Sequence, residues 1–284
     1  MQNFRGAAYH FGCVLAAITP HSACFRCKAH AATPQGNSTF IIPTPEVTID
    51  QSKDAWMGVK GEVVPWPPVW TKWGDFNHFG SFHVQIDRMS APFAAIINYD
   101  TGDTLVKLWE PADLFDSLRV WSWGKDYRNV RAATPTANFE NYTENISLPA
   151  GGSIDLFTYL YALKGMQNIT MANPTFAGWL AADKQIYKIA EDQSVDIQSQ
   201  VGSSEDYENV NLVIFLTDLD GNILTQIAAE QVAIISPTEL YSGTWRVGLR
   251  DIKAEPGEYI LKLELLDAQD VLVFTVESAP IVIQ

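Results

Sequence analysis

The stretch Tyr259-Ile-Leu-Lys-Leu-Glu-Leu265 shows most directly how the second part of the chain folds. Every second residue from Tyr259 to Leu265 is apolar, whereas Lys262 and Glu264 between them are charged. Side chains of a β-strand alternate between its two faces, so this pattern predicts a strand with one buried face and one solvated face.

Further short strands are predicted around it, at the spacing of about 8–12 residues that is typical of a β-sandwich. They cover residues 195–201, 210–217, 223–228, 232–235, 244–249, 259–266 and 271–276. Asp218-Leu-Asp-Gly-Asn222 resembles the opening of a calcium loop but lacks the closing Glu, so it is interpreted as a hairpin turn. Residues 184–284 contain no cysteine and are predicted to form an immunoglobulin-like β-sandwich without the disulfide.

The preceding residues 37–183 are predicted to form another β-sandwich. Strands rich in aromatic or β-branched residues cover 79–86, 93–99, 105–108, 119–123 and 153–163. A short helix is expected from Asn173, as its N-cap, through Ala182, because Pro174 stands at the first helical position. The predicted fold class is therefore all-β, with two sandwiches in succession.

The chain of 284 residues has a formal net charge of −14, most of which lies in its last hundred residues. Residues 185–284 contain 17 acidic and 5 basic side chains. Such a negative surface repels phosphate backbones, so binding to nucleic acid is not expected. No run of about 18 apolar residues exists, so no membrane-spanning helix is expected either.

Residues 1–36 differ in composition from the rest of the chain and leave three interpretations open. They contain all three cysteines, and His21-x-x-Cys24-x-x-Cys27-x-x-His30 offers zinc-type ligands, but its spacing matches no usual finger pattern, so no metal site is predicted. A second interpretation is a secretory signal ending at Ala29-His30-Ala31, which would make the protein exported instead of cytoplasmic. The third, which we favour, is a poorly structured or mistranslated leader.

Several motifs occur in a characteristic order between residues 37 and 182. They are Phe40-Ile-Ile-Pro-Thr-Pro-Glu-Val-Thr-Ile49, Trp66-Pro-Pro68, Ile97-Asn-Tyr-Asp-Thr-Gly102, Val106-Lys-Leu-Trp-Glu-Pro111, Val120-Trp-Ser-Trp-Gly124, Asn138-Phe-Glu140, Leu148-Pro-Ala-Gly-Gly-Ser153 and Tyr159-Leu-Tyr161. This set resembles the C-terminal half of galactose-mutarotase-like (aldose-epimerase-like) supersandwich proteins. It is most similar to bacterial members of unassigned function that carry an extra β-sandwich. The resemblance implies a partial β-supersandwich, since half of the usual domain has no counterpart here.

The resemblance also implies an acid–base pair at a sugar site. In the family the base is a glutamate on a late strand, and Glu140 holds that position, with Glu144 as the alternative. Mutarotation needs a base for the anomeric hydroxyl and an acid for the ring oxygen, and a carboxylate and a histidine fill these roles at neutral pH. The candidate catalytic residues are therefore Glu140, His78 and His83.

Seven of the nine tryptophans lie between residues 56 and 123. Large rigid rings with a polar handle are typical of concave sugar sites, where they stack on pyranose faces. Trp66, Trp70 and Trp73 lie on a proline-rich segment and are expected to be exposed. These three residues and Trp123 are the candidate sugar-binding residues.

Together these observations favour a carbohydrate-binding protein that needs no cofactor. One alternative is an aldose-epimerase-type enzyme that uses a Glu/His acid–base pair. Another is a structural β protein in which the tryptophans belong to the core and no sugar binds. The predicted domains are residues 1–36 as an extension, 37–183 as the mutarotase-like sandwich and 184–284 as the immunoglobulin-like sandwich.

Overall fold

The computed structural model describes most of the chain as β-strands. The described residues are 9–19, 22–31, 41–43, 47–48, 54–59, 62–65, 79–85, 92–98, 102–123, 136–143, 146, 149, 151–166, 168–252 and 255–284, and their side chains are described for 92–96, 102–118, 140–143, 146, 149, 151–166, 168–252 and 255–284. Within these ranges the helical elements are one 3-10 turn, Ala112–Leu114, and one short helix, α1 (Leu249–Ile252). The predicted all-β fold class is thereby confirmed.

The chain divides into two compact units. One comprises Met1–Asp100 and Leu105–Tyr161, and the other comprises Thr101–Thr104 and Ala162–Gln284. The domain boundaries drawn from the sequence, after residues 36 and 183, stay predictions.

The described part of the first unit contains twelve strands, of which the ninth and the twelfth extend into the second unit. Strands β1 to β12 are, in order, Tyr9–Thr19, Ser22–Ala31, Ile41–Pro43, Val47–Thr48, Asp54–Val59, Glu62–Pro65, Phe79–Gln85, Phe93–Asn98, Asp103–Glu110, Phe115–Trp123, Thr136–Thr143 and Ser153–Lys164. Seven of them form a sheet in the order β1-β2-β12-β9-β8-β5-β6. The second sheet has five strands. Four of them have the order β3-β11-β10-β7, and β4 is also paired with β11.

The N-terminal strands β1 and β2 form an antiparallel hairpin in which Cys13 stands opposite Cys27. Strand β2 also pairs with β12, so the hairpin extends the seven-stranded sheet. The described core of this unit includes Trp109 and Phe115, whose rings meet edge to face with centroids 6.5 Å apart. Edge-to-face contact is a favourable geometry for two aromatic rings, so this pair stabilises the unit beyond simple burial.

The second unit is a sandwich of two sheets. Strands β13 to β22 are, in order, Met171–Ala172, Phe176–Ala182, Ile186–Tyr187, Ser194–Ser203, Tyr207–Thr217, Ile223–Ile235, Tyr241–Gly248, Gly257–Leu266, Leu272–Glu277 and Ile281–Ile283. One sheet has the order β13-β14-β16-β19, and the other has the order β15-β22-β20-β17-β18, with β21 also paired to β20. Aliphatic and aromatic side chains from both sheets form one continuous core.

Strand β20 behaves as its sequence predicts. Tyr259, Leu261, Leu263 and Leu265 are buried, whereas the charged residues between them are more exposed. Lys262 and Glu264 form an ion pair of 2.7 Å on the outer face. The prediction of a strand with one buried face is therefore confirmed.

The helix predicted from Asn173 through Ala182 is wrong. Phe176–Ala182 is strand β14, which pairs with β16 along its whole length. The Asn173 carboxamide oxygen accepts hydrogen bonds from the backbone N–H groups of Thr175 and Phe176, at 2.9 and 2.7 Å. These are the bonds of a helix N-cap, but here they close a turn that leads into a strand.

The Asp218-to-Asn222 segment is a turn, as its sequence indicated. Oδ1 of Asp218 accepts from the backbone N–H groups of Asp220 and Asn222, and Oδ2 accepts from the Asn222 carboxamide at 2.9 Å. These hydrogen bonds hold the pKa of Asp218 below its ordinary value. Both carboxylate oxygens thus serve the turn itself, as an Asx-turn requires.

Strand β18 lies at the end of its sheet and is irregular. Its pairing with β17 skips Leu224 and Ile227, so two β-bulges interrupt it. Glu230 stands opposite the buried Leu212 and accepts a 2.7 Å hydrogen bond from the Tyr241 hydroxyl. Burial and this hydrogen bond raise the pKa of Tyr241.

Candidate functional site

Three neighbouring strands of the five-stranded sheet, β7, β10 and β11, bring most of the candidate site residues into register. Strand β10 lies between the other two and is antiparallel to both. The rows of directly opposite residues are Phe79–Trp123–Thr136, Ser81–Trp121–Asn138, His83–Arg119–Glu140 and Gln85–Ser117–Tyr142. Because residues opposite one another share a face and every second residue returns to it, these four rows belong to one face.

The intervening rows belong to the opposite face and are mostly apolar. They are Gly80–Ser122–Ala137, Phe82–Val120–Phe139 and Val84–Leu118–Asn141. Leu118 and Asn141 are completely buried, whereas Glu140 and Tyr142 on the first face are half-buried. The sheet therefore has an apolar face and a second face rich in aromatic and hydrogen-bonding residues, which we call the polar face.

The row His83–Arg119–Glu140 contains two of the three candidate catalytic residues. Arg119 stands directly opposite His83 on one side and Glu140 on the other. Neighbouring strands lie about 4.8 Å apart, so the backbones of His83 and Glu140 are separated by roughly 10 Å.

Tyr142 and Lys107 are among the residues with which Glu140 interacts. The Tyr142 hydroxyl donates a hydrogen bond of 3.1 Å to Oε2 of Glu140. The negative charge of Glu140 also attracts the ammonium group of Lys107 and favours its protonated form. The hydrogen bond from Tyr142 orients this carboxylate, as a binding or acid–base role requires.

Lys107 is the functional candidate that the sequence did not reveal. It lies in β9 and is fully buried. Burial disfavours the charged ammonium and lowers the pKa of Lys107 to about 7, although the attraction of Glu140 opposes this shift. The amino-acid pattern does not indicate this burial, since a lysine between apolar residues usually occupies the solvated face of a strand.

The remaining predicted site residues have different positions. Trp123 is the last residue of β10 and stands opposite Phe79 and Thr136, in the outermost row of the polar face. His78, Glu144 and the tryptophans at 66, 70 and 73 lie outside the described residues.

The described ranges contain neither a candidate metal site nor a candidate membrane-spanning helix. No group of three or more His, Cys, Asp or Glu side chains there is arranged to hold a metal ion. No helix in the same ranges is long and apolar enough to cross a membrane.

No protein family profile matches the chain, and no curated protein matches it. Among solved structures, it is similar to an Escherichia coli K12 protein assigned as an aldose 1-epimerase, with 10% identity, a TM-score of 0.42 and coverage of 57% of this chain and 64% of that one. A polysaccharide lyase has 10% identity and a TM-score of 0.32, with coverage of 99% and 35%, respectively. A Niemann-Pick type C2 protein from the Japanese carpenter ant has 13% identity and a TM-score of 0.27, with coverage of 36% and 81%. The chain thus spans less than two thirds of the length of the epimerase, and similarities this weak identify no function for it.

Proposed function

We propose that this protein binds carbohydrate on the polar face of strands β7, β10 and β11. The observation that carries the proposal is the register that aligns His83, Arg119 and Glu140 in one row beside Trp121 and Trp123. Sugar sites combine aromatic rings, which stack on the apolar faces of a pyranose, with charged and amide groups, which bond its hydroxyls. Both kinds of residue share this face.

The rows next to Glu140 add suitable polar groups. Asn138 stands opposite Trp121 in the register of β10 and β11. Tyr142, two residues beyond Glu140, donates a hydrogen bond to one oxygen of its carboxylate. A sugar hydroxyl that donates to Glu140 and a ring that stacks on a tryptophan would together bind a single saccharide unit.

The test is a glycan array with the full chain, followed by titration of the best ligand against tryptophan fluorescence. We expect Glu140→Gln to weaken binding about tenfold, because a hydrogen bond to a charged group contributes roughly 1.5–3 kcal/mol. We expect Trp123→Ala to weaken it similarly through loss of the aromatic surface.

Matched controls are available for both variants. Glu110→Gln changes an exposed glutamate that accepts a hydrogen bond from Tyr159, and Trp179→Ala changes a half-buried tryptophan of the second unit. Both should bind like the wild type. Absence of binding to every neutral and acidic glycan would contradict the proposal and leave the interpretation of a structural β protein.

A second candidate function is catalysis of aldose mutarotation. The row His83–Arg119–Glu140 favours it, because an acid and a base two strands apart can flank one sugar ring. Glu140 would take the anomeric proton and His83 would protonate the ring oxygen. Polarimetry on freshly dissolved glucose and galactose tests this: acceleration by the wild type that Glu140→Gln abolishes supports catalysis, and no acceleration by the wild type eliminates it for these sugars.

A further inference from the structure

Strand β19 is the last strand of the four-stranded sheet and lies next to β16. Its pairing with β16 runs from Tyr241 to Gly248 without a shift of register. No other described strand pairs with β19 on its second side. A regular edge of this kind presents an even row of backbone donors and acceptors to a further strand.

One hydrogen bond on each side of β16 shows which residues of β19 face this edge. The N–H of Leu249 donates to the carbonyl of Gln193, which continues the register of β16 with β19, whereas the N–H of Asp183 donates to the carbonyl of Asp196 on the β14 side. Bonding positions alternate along an antiparallel pair. The odd-numbered residues of β19 therefore bond to β16. The N–H and C=O groups that point to the edge belong to Ser242, Thr244, Arg246 and Gly248.

The edge is accessible and regular. Ser242 and Thr244 are exposed, and the strand contains no proline. Arg246 is the single cation of the strand, and its Nε and Nη2 donate to the two carboxylate oxygens of Asp196 at 2.7 and 2.6 Å. Its charge is thereby compensated within the sheet. Proline, bulges and uncompensated lysines are the usual devices that keep a further strand from an edge, and β19 has none of them.

The inner face of β19 borders the open side of the sandwich. Trp245 and Val247 are half-buried against the core, as is Ala228 of β18. Glu230 of β18 is exposed, and it accepts a 2.7 Å hydrogen bond from the Tyr241 hydroxyl at the beginning of β19. Side chains of a strand alternate between its faces, so a strand added to β19 would place every second side chain beside these residues.

We propose that β19 is a docking edge, to which an extended segment of another polypeptide adds as a further strand of the four-stranded sheet. The partner has apolar side chains that face Trp245 and Val247, and a lysine or arginine that faces Glu230. Residues 185–284 contain 17 acidic and 5 basic side chains, so charge favours a cationic partner over a second copy of this chain. The docking edge lies in the second unit and does not depend on sugar binding by the polar face.

The test uses the full chain and a defined probe, the capped peptide Lys-Thr-Val-Thr-Leu-Thr-Val-Lys. Amide hydrogen exchange is followed by NMR with and without the peptide. We expect the amides of Ser242, Thr244 and Arg246 to exchange at least about tenfold more slowly in the complex, because they gain hydrogen bonds. The amides that bond to β16 should be protected in both states. Unchanged exchange at the edge amides with the peptide at about 1 mM would overturn the proposal.

Two methylated forms of the probe test strand pairing without any change to the protein. One carries N-methyl groups on its threonines, and the other carries them on its valines and leucine. A strand that pairs through one edge bonds through alternate residues, so only one form should lose binding. Equal affinity of both forms would contradict pairing with β19.

Thr244→Pro removes an N–H that points to the edge and leaves the bonds to β16 intact, so the strand can keep its place in the sheet. We expect it to weaken peptide binding about tenfold, whereas the matched control Thr244→Val keeps the N–H and should bind within about twofold of the wild type. Urea unfolding checks that both variants are folded. Should Thr244→Pro not fold, the methylated probes with the wild type decide the matter.

Glu230→Gln tests the charge of the partner. It should weaken binding of the lysine-containing probe about threefold and leave a probe with glutamine at both ends unaffected. Glu239→Gln, at another exposed position, is the control and should bind normally. Protection of the edge amides that rises with protein concentration in the absence of peptide would show that a second copy occupies the edge, and would overturn the proposed cationic partner. The glycan array bears on the proposed function alone, and these measurements bear on β19 alone.

Discussion

The Tyr142 hydroxyl donates a hydrogen bond of 3.1 Å to Oε2 of Glu140, two residues away on the same face of β11. Residues at this spacing in a strand are neighbours on one face, so the tyrosine ring lies alongside the carboxylate that it orients. Its position opposite the buried Ser117 anchors that end of the polar face. The phenol thus orients Oε2 of the carboxylate.

Tyr142→Phe removes this hydrogen bond and keeps the ring. We expect sugar affinity to fall about threefold to tenfold, because one hydrogen bond to a charged group is lost at the site. Isothermal titration of the selected glycan measures the change. Tyr159→Phe, which removes the equivalent bond to exposed Glu110, is the control, and an equal loss in both variants would contradict a specific role for Tyr142.

The lowered pKa of Lys107 makes the stability of the protein depend on pH. Its folded pKa of about 7 lies below the ordinary value of 10.5, so between these values the unfolded chain binds more protons than the folded chain. The free energy of unfolding therefore rises with pH by up to about 1.4 kcal/mol per unit in this window, and the contribution is flat below pH 7. Lys107→Met lacks this dependence.

Urea unfolding of the wild type and Lys107→Met between pH 6 and 10 tests this prediction. Groups other than Lys107 contribute equally to both proteins and cancel in the difference. We expect Lys107→Met to be more stable than the wild type by the largest margin near pH 6–7, with the margin shrinking towards pH 10. A margin that stays constant over this range would show that Lys107 keeps its ordinary pKa.

Leu263 tests the core of the second unit. It is fully buried in β20, so Leu263→Ala should lower the free energy of unfolding by about 2–5 kcal/mol through lost burial and a cavity. Leu272, in neighbouring β21, is 51% exposed, and Leu272→Ala should change stability by no more than about 0.5 kcal/mol. Chemical denaturation of both variants measures the contrast, and equal losses would contradict the assignment of the β20 faces.

Asn173 tests the turn that replaces the predicted helix start. Asn173→Ala leaves the N–H groups of Thr175 and Phe176 without their acceptor, and we expect a loss of about 0.5–2 kcal/mol, as for a helix cap. Gln198→Ala, at an exposed position of β16, serves as the control. Thermal unfolding of the two variants decides the matter, since identical transition temperatures would mean that Asn173 contributes nothing.

The second sandwich could be predicted because the alternation of apolar and polar residues within its strands is visible in the sequence. Tyr259 to Leu265 alternates strictly, and the turn at Asp218 contains the residue types that stabilise it. Asn173 shows the limit of such local signals, because its side-chain hydrogen bonds fit a helix start and a turn equally well. In the folded chain Gly178 lies within strand β14 and packs against Val276 and Phe274 so closely that a Cβ would collide with both.

The candidate site could be predicted only in part, because its geometry depends on register between distant strands. His83 and Glu140 are separated by more than fifty residues, and both are aligned through Arg119, whose importance no local motif indicates. Lys107 was missed for a related reason. A lysine among apolar residues predicts a solvated position, and only the packing of two sheets encloses it.

Strand β18 makes the end of its sheet a poor template for a further chain. Its bulges at Leu224 and Ile227 break the even row of backbone donors and acceptors on which an incoming strand would have to pair. Glu230 adds an exposed acidic side chain on the same strand. Stacking of molecules edge to edge, the step from which amyloid-like fibres grow, is therefore disfavoured at this edge, through the irregularity of the longest strand of the sandwich.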